Sequence, residues 1–427
     1  MKKRLMFLFV VFLGVFILSG CTVKTGGRDE KVIKVACWGT PEELDIIRKT
    51  LVAWEKVNPG IKIKLEPIVY QSYVNKILTR IAGGAAPDII FTEVDIFADF
   101  CDKGAFLDLT SFIKEDDLFD INNYFPEVVD RFTVDGKIYC IPRDTAPFAC
   151  VYYNKGLFDR YEVLYPNDDW DWNDLLEKAK ALTISENGRV SQYGFFAWAW
   201  QNFIYSNGGS IVDNIKNPTR CTLDDPKAIE GLQFHADLVL KHNVSPSQTA
   251  LTNLGAGASQ LFMQQKLAMF SSGIWETPLF RKIKDFEWDV VMFPKGPNGK
   301  RGFGTGGSGY CILKTTKYPK EAWEVVKALS GDYGQIRFAE EGLAQPANKK
   351  IAYGPHWAGS DKLPLNKKML NEAVSYVTYN PFHPKWRQIR DLLITPELDL
   401  MFTGDITAEV AVNRFIDKAD KMLQGKE

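Results

Sequence analysis

The chain has 427 residues, of which 52 are Lys or Arg and 53 are Asp or Glu, so it lacks the basic excess that nucleic-acid binding requires. A hydrophobic content of 45% excludes disorder for the bulk of the chain, and the length allows two or more domains of ordinary size. The aromatic share of 13%, with 11 tryptophans, is the compositional feature left to explain.

In chain order, Lys2, Lys3 and Arg4 precede an uncharged apolar run at 5–18. Its 14 residues are too few to span a ~30 Å hydrocarbon core as a helix, and the arrangement is that of an export signal. Leu18-Ser19-Gly20-Cys21 closes the run and resembles the bacterial lipobox, where small residues admit a peptidase and the cysteine receives lipid. Residues 1–20 are therefore expected to be removed and Cys21 to be lipidated with more than one acyl chain, as stable anchoring requires. Loss of the leader, with its three basic residues, leaves a net charge of about −4. Residues 21–30 then form a polar tether, and no later stretch approaches 18 uncharged apolar residues. The expected location is the extracytoplasmic face of a cell membrane.

A strand is expected at 32–37. Thr40-Pro41-Glu42-Glu43 then combines a capping Thr, proline at the first helical position and Glu three residues after the cap, which satisfies backbone N–H groups left free at a helix start. Leu44, Ile47, Leu51 and Trp54 recur at helical spacing, and Asn58-Pro59-Gly60 ends that helix. Ile61, Ile63 and Leu65 alternate as a strand, 72–81 is expected to be helical, and 88–91 supplies a further strand. This β-α-β-α-β order predicts a parallel sheet covered by helices on both faces. Further on, Asp225-Pro226 opens a helix carrying Ile229, Leu232, Ala236 and Val239. Pro319 opens another with Ala322, Val326 and Leu329, and a last helix carries Val412, Phe415, Ala419 and Leu423. No tandem repeat or low-complexity linker is present, so two α/β lobes with intertwined connections are expected.

Cys37, Cys101, Cys140, Cys150, Cys221 and Cys311 are even in number, which in an exported chain permits disulfides. They sit in apolar runs without CxxC spacing, so buried free thiols are the favoured reading. Gly302-Phe303-Gly304-Thr305-Gly306-Gly307 matches GxGxxG but runs into a strand rather than a helix, so no nucleotide is expected there. Asp169, Asp171 and Asn173 imitate a calcium loop whose sixth and twelfth positions hold Asp174 and Lys180, where Gly and Glu are needed. His235 and His242 lie seven apart without an obvious third ligand, so neither a metal nor a cofactor is expected. GxSxG and HExxH are absent.

The aromatic residues carry more. Trp38 stands at the carboxyl end of the first strand, Trp198 and Trp200 follow Tyr193-Gly194, and Trp275 follows Ser271-Ser272-Gly273. Ligands of open α/β sheets bind beyond the carboxyl ends of strands. An indole there offers a flat apolar face for a pyranose and one N–H donor. Trp54 and Trp323, on amphipathic helices, are expected in the core.

Residues 257–275 (GASQLFMQQKLAMFSSGIW) look like the F-x-x-G-x-x-A-M-x-x-x-G-x-W region of family 1 extracellular solute-binding proteins of bacterial ABC importers, with Gln265 where Gly is usual. The blocks at 86–90, 135–139, 153–155, 293–297, 306–309, 318–323 and 342–347 agree in order, so this resemblance to maltose-binding-protein-like sugar-binding lipoproteins covers nearly all of the mature chain.

The resemblance implies an α/β, two-lobed periplasmic-binding-protein-like fold. Each lobe is a mainly parallel sheet flanked by helices, and three hinge crossings near 149–153, 290–294 and 344–347 join them. The lobes would comprise 31–149 plus 293–345 and 150–292 plus 346–427. Ligand-binding candidates are Trp275 as a stacking platform, Asp95 as an acceptor for hydroxyls, Trp38 and Thr40 on the first loop, and Asp144 ahead of the first crossing. Gly307 and Ser308 would approach ligand through backbone, with Trp198, Trp200 and Asn202 from the second lobe and Glu276 and Arg337 behind them. The implied function is capture of a carbohydrate, an oligosaccharide above all, by a monomer that passes it to an ABC importer permease and performs no chemistry. The alternatives are a polyamine or phosphorylated polyol as ligand, or a surface sensor or glycosidase on the same anchor. An acidic cluster near Trp275 would favour a polyamine, and an Arg/Lys cleft a phosphorylated polyol.

Overall fold

The computed structural model describes residues 30–426. The export signal, Cys21 and most of the tether lie outside the described residues.

Strand β1 (Lys31–Cys37) shows the period of two that sets a sheet between two layers. Ile33, Val35 and Cys37 face one apolar cluster with Ile47, Leu51 and Trp54, while Ala36 faces another with Tyr73, Ile77, Ile90 and Phe97. The cap at Thr40 forms as expected: its hydroxyl accepts from the Glu43 N–H, and the Glu43 carboxylate accepts from the Thr40 N–H. Helix α1 (Pro41–Glu55) leads to β2 (Ile61–Pro67), then α2 (Tyr70–Ala82), β3 (Ile89–Glu93) and α3 (Val94–Asp102). After β4 (Cys140–Pro142) the chain enters a second sheet at β5 (Cys150–Asn154).

The second region contains α4 (Trp172–Ala181), β6 (Ile184–Glu186), β7 (Arg189–Ala197), α5 (Trp200–Ser206), α6 (Pro226–Leu240), β8 (Leu267–Ser272) and β9 (Trp288–Met292). The chain then returns to the first sheet as β10 (Ser308–Ile312), followed by α7 (Pro319–Ser330) and α8 (Asp332–Glu340). Helix α9 (Ala408–Leu423) packs into the cluster that α6 helps to form, with Leu232, Ala236, Val412 and Phe415 buried together.

The first sheet has the order β2-β1-β3-β10-β4, parallel across its first three strands, with β10 antiparallel to both neighbours. The second, β9-β5-β8-β7-β6, is parallel only between β8 and β7. It is more mixed than the mainly parallel arrangement expected. β5 and β9 are the strands by which the chain enters and leaves, and β6 and β7 form a hairpin joined by Asn187 and Gly188 at positive φ. Among the described residues no helix is long and apolar enough to cross a membrane.

Candidate functional site

A cleft of about 570 Å³ opens where residues from both sheets face each other. Its lining follows the carboxyl ends of strands: Trp38 follows β1, Glu93 ends β3, Trp198 follows β7, and Trp275 lies three residues after β8.

One wall is aromatic. Trp275 turns edge-on to Phe148 at 5.9 Å between centroids, and Trp198 meets Phe148 at 4.8 Å and Trp275 at 6.3 Å. The Trp275 ring folds over Gly273, where a Cβ would stand 1.9 Å from the indole, so the platform exists because position 273 has no side chain. Trp198 is 40% exposed and its Nε1 donates to Ser272 Oγ at 3.4 Å, leaving a ring face open to the cleft. Across the cleft, Trp38 packs edge-on against Tyr70 and Tyr73.

Charged groups line the cleft as well. Arg143 donates to Asp144 Oδ2 through Nε at 2.7 Å, and Asp144 Oδ1 accepts the Ser308 N–H at 2.9 Å. Arg390, from the C-terminal segment, pairs with Asp95 on α3 at 2.6 Å and with Asp391 at 2.9 Å. Burial disfavours the Arg390 charge, but Asp95, with Tyr70, Asp391 and Glu93 adding to it, outweighs that cost and lifts the guanidinium pKa. Tyr70 donates its hydroxyl to Glu93, whose pKa burial and the neighbouring Asp95 charge raise well above the usual carboxylate range. Glu276 accepts from the Ser259 and Ser272 hydroxyls at 2.9 and 3.1 Å, and burial raises its pKa too.

Seven of the expected site residues line this cleft: Trp38, Thr40, Asp144, Trp198, Trp275, Glu276 and Ser308. Five do not. Asp95 is fully buried and reaches the cleft only through Arg390. Asn202 is equally buried, its amide tying the Phe148 carbonyl to the Gly304 N–H at 2.7 and 3.0 Å, so its hydrogen-bonding capacity serves the fold. Trp200 packs on the cluster shared with α9. Gly307 makes room for Arg131, whose Nη1 would stand 2.0 Å from a Cβ there. Arg337 lies in a separate charged cavity with Glu340 and Glu341, its guanidinium 4.7 Å from the Tyr333 ring centroid.

Sequence reasoning missed Glu43, Tyr70, Glu93, Phe148 and Arg390, all of which line the cleft. Glu43 carried a signal, since the capping box placed it in the first turn beside Trp38, but the cap accounted for it fully. Arg390 had none, because only the tertiary fold carries it 295 positions to Asp95.

Among the described residues no group of three His, Cys, Asp or Glu side chains could hold a metal. His235 is buried with Nε2 3.1 Å from the Ala197 carbonyl, and burial pushes its pKa down to about 4. Asp171 caps α4, as its hydrogen bonds to Asn173 and Asp174 require. All six described cysteines are free thiols, and Cys140 and Cys311 face each other as such across β4 and β10.

Comparison with known proteins places this geometry. The pattern of the family described as bacterial extracellular solute-binding protein matches residues 40–336. An ABC transporter extracellular-binding protein of Pyrococcus horikoshii is 24% identical over 345 residues, 78% of this chain and 77% of its own. An arabinooligosaccharide-binding protein of Halalkalibacterium halodurans is 24% identical over 309 residues, 66% of this chain and 63% of its own. Among solved structures, the ABC substrate-binding protein Lmo0181 from Listeria monocytogenes, in complex with cycloalternan, superposes with a TM-score of 0.84 at 27% identity, covering 93% of this chain and 100% of that one. Maltose-bound MalE3 of T. maritima superposes with a TM-score of 0.78 at 22% identity, covering 92% and 99%, and shares the fold.

Proposed function

The chain belongs to the bacterial extracellular solute-binding protein family, whose members are binding proteins of ABC transporters, and from that premise we propose that it is the lipid-anchored receptor of a carbohydrate importer. It captures an oligosaccharide in the cleft, closes around it by hinge motion at the crossings near 149–153, 290–294 and 344–347, and presents the closed form to permease subunits. Lipid on Cys21 holds the monomer at the outer face of the membrane, and no bond of the ligand is made or broken. The observation that carries the reading is the pair of indoles, Trp198 and Trp275, on one wall of a cleft that also presents carboxylate and amide side chains. Flat apolar faces combined with carboxylate and amide acceptors suit a ring that is apolar on its C–H faces and hydroxylated at its rim.

The test is thermal unfolding of the purified protein against mono- and oligosaccharides, polyols, polyamines and sugar phosphates. A ligand at 100 times its Kd stabilises the native state by about 2.7 kcal/mol. Stabilisation by a sugar class without release of product is the expected result. Hydrolysis of the stabilising sugar would replace the receptor with a glycosidase, and stabilisation by a sugar phosphate alone would replace the ligand class.

A further inference from the structure

We propose that the cleft selects a hydroxyl-rich ligand carrying a protonated amine, an amino sugar, with the ammonium seated between Glu43 of the first lobe and Glu276 of the second. The inference rests on the carbohydrate reading above and narrows it.

The charge inventory of the cleft is uneven. Both arginines that line it are already matched: Arg143 by Asp144, and Arg390 by Asp95 and Asp391. Three further carboxylates line it, Glu43, Glu93 and Glu276, and none forms an ion pair among the described residues. Their partners are neutral donors: the Thr40 N–H at 2.8 Å for Glu43, the Tyr70 hydroxyl for Glu93, and the Ser259 and Ser272 hydroxyls for Glu276. Taking a carboxylate out of water without a counter-charge is costly, and like charges that face each other add to the cost. Burial raises the pKa of Glu276 first, and the charge of Glu43 on the opposing lobe raises it further. Closing the lobes on a neutral sugar leaves this excess in place, whereas closing them on an ammonium cancels part of it.

The surroundings fit the same group. An ammonium offers donors only, and the unmatched lining offers acceptors. Gln201, also in the lining, keeps its Oε1 buried with no donor, so a ligand N–H or O–H is what that atom lacks. Trp38 and Trp275 line the same cleft as the two carboxylates, so aromatic rings are within the site for cation–π attraction to a bound ammonium. The same inventory disfavours a phosphorylated polyol, whose anion would meet Glu43 and Glu276 without an ion-pair partner and two arginines already occupied. A linear polyamine would satisfy the carboxylates but has no ring to lay on Trp198 and Trp275.

Calorimetric titration of the purified protein with matched pairs of oligosaccharides tests the assignment: glucose-based trimers of α-1,4 and β-1,4 linkage, the 2-amino analogue of each, and spermidine. One amino sugar is expected to bind about tenfold tighter than its neutral partner, the scale of one desolvated charge contact. That ratio should shrink in Glu43→Gln and in Glu276→Gln, each checked for cooperative unfolding. Neutral trimers that bind as tightly as their amino analogues, or a ratio untouched by both substitutions, would overturn the amine assignment and leave the carbohydrate reading standing. Spermidine binding with no sugar binding would overturn the carbohydrate reading itself, and a panel in which no amine binds overturns the amine assignment.

Discussion

The two walls of the cleft are built on different principles. The aromatic wall, Trp198, Trp275 and Phe148, is held by shape: the Trp275 ring fits over Gly273, and the rings brace one another edge to face. The charged wall is held by pairing, Arg143 on Asp144 and Arg390 on Asp95, with each carboxylate almost wholly buried. A wall held by pairing has its functional groups wired into the stability of the fold. A wall held by shape can lose a side chain and remain a folded protein with a poorer site. The walls should therefore fail differently.

The largest effect is expected from Asp95→Ala. Asp95 is fully buried, and the Arg390 side chain is 18% exposed, so removing the carboxylate strands a cation that burial already disfavours. Losing one partner of a buried pair costs about 3–5 kcal/mol, which chemical denaturation would report as a lower midpoint at unchanged slope. A loss below about 1 kcal/mol would mean that Arg390 swings to Asp391 or to solvent and that pairing does not hold this wall.

Trp275→Ala should do the reverse. It is expected to weaken sugar binding at least tenfold, about 1.4 kcal/mol, while unfolding stays cooperative. Gly273→Ala should reproduce much of that loss although the indole is still present, because the added carbon occupies the seat of the ring. Calorimetric affinities unchanged in both variants would remove Trp275 from the site.

A smaller effect separates the walls by pH. Glu93 has its pKa raised by burial and by Asp95, against an unfolded value of about 4.3. Between those two values the native state holds more protons than the unfolded chain, so stability falls as pH rises through that window and is fully retained below it. Glu93→Gln keeps an acceptor for Tyr70 and removes the titration, so its melting temperature should decline less between pH 5 and pH 9 than that of the parent. Parallel profiles for the two proteins would show that Glu93 is not held as the buried acid its surroundings imply.

The contrast between walls also explains what the sequence disclosed. Strand β1, the Thr40–Glu43 cap, the helices opened by Pro226 and Pro319, and the packing of Trp54 and Trp323 are local or periodic features, and each was legible. Trp38, Trp198 and Trp275 were legible as exceptions, large aromatics in glycine-rich or polar settings beyond strand ends. Of the charged wall, Asp144 and Ser308 were legible as site residues, but the pairings were not, because Asp95–Arg390 and Asp144–Ser308 join residues 295 and 164 positions apart. Asp95 and Asn202 looked like ligand contacts because their types suit hydroxyls; burial, which sequence does not carry, decided otherwise.

The smallest effect is expected where pairing is present without burial. Glu42 on α1 accepts from Lys282 at 2.7 Å, joining the first lobe to the second across 240 positions, much as Asp95 and Arg390 do. Here the lysine side chain is 59% exposed and the carboxylate 21%, so water still solvates both ions and the pair supplements hydration rather than replacing it. Lys282→Ala should therefore cost less than about 1 kcal/mol by chemical denaturation, and added salt should erase most of that difference. A loss approaching that of Asp95→Ala would show that the contact between lobes, and not the burial of its charges, sets the energetic weight of a pair.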